Sequence, residues 1–104
     1  MKPPTALEKR HMDRVANLPC LVSGKRGVTL HHVTAYADRI GRFSRSHQLI
    51  VPLAPEFHLY QHGPKSSVEA LGHRGFARTY KIDLLVEAQR LWAETLELEK
   101  ERTA

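Results

Sequence analysis

The sequence predicts an α+β domain, and three observations carry that expectation. Two short aliphatic and β-branched runs, Val28-Thr29-Leu30-His31-His32-Val33 and Leu49-Ile50-Val51-Pro52-Leu53, read as strands. Helix starts flank them: Thr5-Ala6-Leu7-Glu8 and Ser66-Ser67-Val68-Glu69 have capping-box spacing, and Pro55-Glu56 sets a proline and a carboxylate in a first turn. Leu84, Leu85, Ala88, Leu91, Trp92, Thr95 and Leu96 then mark one apolar stripe at helical spacing. At 104 residues the chain is expected to form one domain, with a core from about 18 to 63 and a helical C-terminal extension from about 66 to 102.

The first helix is expected from about Ala6 to Ala16, with Thr5 as N-cap and Met12 and Val15 on its inner edge. Pro19 ends it. Cys20 to Gly27 reads as an extended segment and a glycine-bounded turn. In the strand that follows, successive side chains point to opposite faces, so His31 and His32 diverge and need not share a role. Residues 34–48 read as a polar, basic loop in which Arg39, Arg42 and Arg45 recur every third position. Pro52 places the second strand at an edge or marks its end. On the helix opened by Pro55, His58 and His62 are four apart and share a face, and Gly63-Pro64 closes it. A further helix near Val68–Tyr80 is weakened by Gly72 and Gly75, and Asp83 can cap the last one.

Net charge is +5, unevenly placed. Residues 1–81 hold 13 Lys/Arg against 5 Asp/Glu, whereas residues 82–104 hold 3 against 6. A basic excess of that size fits a polyanionic partner, nucleic acid above all, though a charge kept for solubility accounts for it as well. The single cysteine, Cys20, excludes an internal disulfide, and it reads as a small buried residue. No apolar run approaches the roughly 20 residues of a membrane span, and no signal-peptide core follows the N-terminus. A cytoplasmic protein without membrane association is expected.

Five of the seven histidines, at 31, 32, 47, 58 and 62, fall within 32 residues. Imidazole is the commonest metal ligand. Two imidazoles one helical turn apart can hold one ion, and a third ligand from a facing strand leaves positions open for water and a phosphate oxygen. The other strand histidine can then serve as general base. An all-imidazole set suits Zn, Ni, Cu or Co better than Mg, although the substrate phosphate can override that preference. His11 and His73 have no partner motif.

The order strand, loop, strand, helix, with His31-His32 ending the first strand and His58-x3-His62 on the helix, resembles the HNH (ββα-metal) endonuclease family over about Leu18 to His62. Arg45-Ser46-His47-Gln48-Leu49-Ile50-Val51-Pro52-Leu53 and Ser67-Val68-Glu69-Ala70-Leu71 are similar to small phage members, the recombination-enhancement nucleases. The resemblance implies a small ββα-metal core with an N-terminal helix and C-terminal helices. It implies His31, His58 and His62 as metal ligands, His32 as general base, and His47 or Gln48 as the residue that orients the base. It further implies one divalent ion (Zn, Mg, Mn or Ni) and hydrolysis of DNA phosphodiesters in a bacterial host cell. Many members also carry a structural zinc on two Cys-x2-Cys pairs. Here those positions are Cys20, Ser23, Ala54 and Phe57, so no structural zinc is expected and Ala54 and Phe57 are expected to pack in its place.

Lys25, Arg26, Arg39, Arg42 and Arg45 are the expected phosphate contacts, which fix position without reading sequence. A nucleic-acid-binding module of the same fold without catalysis is the alternative. A homodimer or a recombination protein partner, engaged through the apolar helix Leu84 to Leu96, is the remaining expectation.

Overall fold

The computed structural model describes residues 3–34, 46–59 and 66–103. Over them the chain is a small mixed α/β arrangement of a two-stranded antiparallel sheet and several helices. Helix α1 spans Ala6–Ala16, β1 Thr29–His32, β2 Ile50–Leu53, α2 Pro55–His58, α3 Val68–Tyr80 and α4 Leu84–Thr103.

Proline fixes the sheet register. Thr29 pairs with Leu53, Leu30 with Pro52, His31 with Val51 and His32 with Ile50, and Val33 N–H continues the ladder to Leu49 O at 2.9 Å. Antiparallel pairs alternate between hydrogen-bonded and non-hydrogen-bonded. Proline has no N–H, so Leu30–Pro52 falls on the non-bonded kind, and the Pro52 carbonyl points away from β1. Leu21 N–H reaches that carbonyl at 3.1 Å. All four residues of β2 are buried, whereas β1 is half-buried throughout.

Each helix forms for a local reason. The Thr5 hydroxyl accepts Glu8 N–H at 3.1 Å and the Glu8 carboxylate accepts Thr5 N–H at 2.9 Å, completing the capping box expected for α1. Asp83 Oδ1 accepts Val86 N–H at 3.1 Å and caps α4. The cap of α3 differs from expectation. The N-cap is Ser67, whose hydroxyl accepts Ala70 N–H at 3.1 Å, while Ser66 Oγ is turned to Glu56 O at 3.2 Å. Glu69 thus stands at the second helical position and takes no part in a reciprocal cap. Within α3, Gly72 breaks the helical path at φ 70°, ψ 165°, a conformation open only to glycine. α2 extends one turn, Pro55–His58; positions 60–65, with His62 and the Gly63-Pro64 stop, lie outside the described residues.

The core joins β2 to α1 and α4, with Val15, Ile50, Val51, Leu53, Leu84, Leu85, Ala88 and Leu91 buried together. Most of the apolar stripe of α4 is therefore covered by the chain itself; Leu96, at its outer end, is 37% exposed. Phe76 is fully buried and packs on Tyr80, which meets Phe57 edge-on at 5.6 Å between ring centroids. Cys20 is buried as expected; Ala54 is buried and Phe57 packs against the core, which is the apolar filling the sequence led one to expect at those positions.

His11 is the polar centre of this core. It is fully buried, edge-on to Trp92. Its Nδ1 lies 2.6 Å from Thr95 Oγ1 and its Nε2 lies 3.1 Å from the Gln48 carbonyl. Arg14 Nε donates to the same Thr95 oxygen at 2.9 Å. The Thr95 proton is therefore directed to Nδ1, and His11 donates from Nε2 to Gln48 O. Burial lowers its pKa and the Arg14 charge adds to that, against the pull of the Gln48 carbonyl. Burial also lowers the pKa of His58. Both groups take up a proton more readily in the unfolded chain, so stability is full above about pH 6.5 and falls as pH drops below it toward the lowered folded values. Thermal melts at pH 7.5 and 5.5 are expected to show this loss, and the His11→Gln variant a smaller pH dependence.

Candidate metal centre

β1, the end of α2 and the start of α3 bring three ligating side chains together. Thr29 and His31 are two apart on β1 and so face the same way, toward α2. His31 and His58 meet edge-on, ring centroids 4.8 Å apart. The freed Glu69, exposed in the first turn of α3, completes the group: one ligand atom each from His31, His58 and Glu69 lies within 4.8 Å of the others. They line an open cleft of about 340 Å³ together with Leu30, His32, Thr34 and Leu59. Thr29 Oγ1 stands behind His58, 2.6 Å from its Nδ1, and donates to Leu53 O at 2.8 Å.

Burial pushes the His58 imidazole below its ordinary pKa, with the Glu69 carboxylate opposing that. A neutral imidazole is the ligating form, so this environment suits a ligand at neutral pH. Two nitrogens and one carboxylate oxygen, converging from separate elements on an open cleft, fit a divalent cation that keeps further positions for water or substrate.

His32 takes the other direction, as strand alternation requires. Its Nε2 lies 3.2 Å from His47 Nδ1, with ring centroids 5.3 Å apart. Of the two residues expected to orient His32, His47 touches it. The Gln48 side chain donates instead to Glu8 Oε2 at 3.3 Å, and its carbonyl serves His11. Lys25 and Arg26 are exposed on the turn before β1, where Gly24 and Gly27 take positive φ, and Arg26 reaches Asn17 O at 2.5 Å. Arg39, Arg42 and Arg45, like His62, lie outside the described residues.

Glu69 is the ligand candidate that sequence reasoning missed. Its capping-box spacing from Ser66 gave it a local role, and the competing signal was Ser67, an equally good cap one residue later. No ligand set surrounds Cys20 among the described residues. Burial raises its thiol pKa, but hydrogen bonds from the Ala54 backbone and from Ser23 more than offset this, and the net direction is down.

A larger depression of about 500 Å³ lies along α4 beside Arg14, Arg90, Ala93, Glu94, Glu97 and Leu98. Its arginines are paired with Glu94 and Glu87, and no ligating cluster opens into it among the described residues. No described helix is long and apolar enough to cross a membrane. Compared with family models and with curated proteins, the chain matches none.

Proposed function

We propose that this chain is a metal-dependent DNA endonuclease of the ββα-metal type, built on β1, β2 and α2. The observation that carries the reading is the convergence of His31, His58 and Glu69 on one cleft, with His32 beside it and turned to His47. His31, His58 and Glu69 would hold one divalent ion, with His62 the further ligand that the family resemblance implies. The carboxylate widens the choice of ion toward Mn and Mg, beside the Zn and Ni that imidazoles favour. When bound, the ion would stabilise the charge that develops on the phosphate and the leaving oxygen.

The chain's own groups do the rest. His32 removes a proton from the water that attacks phosphorus, while His47 holds the imidazole in orientation. The bond from phosphorus to the leaving oxygen breaks as the new one forms. Lys25, Arg26, Arg39, Arg42 and Arg45 bind flanking phosphates, so DNA binding weakens steeply with salt.

The test is plasmid nicking with Mn, Mg, Ni or Zn, with and without chelator. Wild type is expected to nick in at least one metal and to stop on chelation. His58→Ala is expected to lose both nicking and metal binding. Salt-sensitive DNA binding with no nicking in any metal would overturn the enzymatic reading in favour of a binding module.

A further inference from the structure

The hydroxyl behind His58 decides which of that ring's two nitrogens is available. Thr29 Oγ1 is within 2.8 Å of Leu53 O and 2.6 Å of His58 Nδ1. A threonine hydroxyl carries one proton and two lone pairs, and a peptide carbonyl only accepts. If the proton went to His58 Nδ1, two oxygens without a proton between them would face each other at 2.8 Å. Both contacts are hydrogen bonds in one arrangement only: Thr29 donates to Leu53 O, and His58 Nδ1–H donates to Thr29 Oγ1.

We propose that Thr29 is a positioning residue that locks His58 in the Nδ1–H tautomer and so presents the lone pair of Nε2 to the cleft shared with His31 and Glu69. The inference rests on the metal-site reading for its purpose but not for its geometry. In free imidazole side chains Nε2 usually keeps the proton, which would block that nitrogen as a ligand, so the tautomer must be set by a partner on the other nitrogen. A tautomer choice exists in the neutral ring, which is also the form that ligates a metal. Thr29 is itself fixed at both ends. Its backbone is opposite Leu53 in the sheet, and its hydroxyl bonds to that same residue's carbonyl. The sheet register thereby sets the orientation of a ring on α2.

The tautomer is readable without metal or substrate. Long-range proton–nitrogen correlation spectra of the apo protein at pH 8, with His58 assigned by its loss in His58→Ala, are expected to show Nδ1 protonated. Thr29→Val removes the acceptor and is expected to return His58 to a population dominated by Nε2–H. It should also weaken Zn or Mn binding, measured by calorimetry, by about 10- to 100-fold. Thr29→Ser, which keeps the hydroxyl, should restore both the tautomer and the affinity. A wild-type His58 protonated on Nε2, or a Thr29→Val variant that melts as a folded protein with its tautomer unchanged, would overturn the proposal. If wild type shows the Nδ1–H tautomer but binds neither metal, the positioning stands and the metal reading fails.

Discussion

His32→Ala is expected to slow metal-dependent nicking by about 10²- to 10⁴-fold, the usual contribution of a positioned general base. Metal affinity should be unchanged, because His32 faces His47 and contributes no atom to the His31, His58 and Glu69 group. That separation distinguishes this variant from His58→Ala, in which binding and cleavage fail together. The measurement is single-turnover nicking at saturating metal, paired with calorimetric titration of the same protein. Equal nicking by wild type and His32→Ala would assign the proton transfer to another group. His47→Ala should fall between the two, since it leaves the base in place but removes the contact that orients its ring.

The second large effect concerns stability. Phe76→Ala is expected to cost about 3–5 kcal/mol, the range for emptying a buried phenylalanine site. Phe76 is fully buried and leans on Tyr80, with ring centroids 4.7 Å apart. Tyr80 in turn meets Phe57 and donates its hydroxyl to Ser66 O at 2.6 Å. For a chain of 104 residues the total stability is on the order of 5–15 kcal/mol, so the loss removes a large part of it. Chemical denaturation gives the figure directly; a loss under about 1 kcal/mol would mean that the site collapses around the missing ring. The same chain of rings ties α3 to α2. Metal affinity should therefore fall even at temperatures where the variant stays folded, because Glu69 and His58 sit on those two helices.

The elements were legible because each carries its own local signal. Thr5 and Glu8 announce α1, Pro55 announces α2, and the stripe from Leu84 announces α4 and the face it buries. The divergence of His31 and His32 follows from strand periodicity alone, and their different neighbours are what that periodicity demands. Glu69 was not legible, because its role depends on a one-residue choice between adjacent serines and on where α3 docks against α2. Thr29 was hidden for a related reason. Nothing in a β-strand threonine marks it as a hydrogen-bond partner for a histidine 29 residues downstream. His11 lacked any partner motif in sequence, yet its two hydrogen-bond partners come from α4 and the approach to β2. Such contacts are products of tertiary docking, and no window of sequence contains them.

The outward-facing carbonyl of Pro52 bears on self-association. β2 is the more apolar of the two described strands, and the side of a strand away from its partner is where another chain can pair. At its centre, proline supplies no donor, and the one carbonyl there is already taken by Leu21 N–H. An incoming strand would find a missing proton and an occupied acceptor at the same residue. The segment after α1 thus works as a guard on the sheet's vulnerable border, and it protects the strand that the chain can least afford to expose.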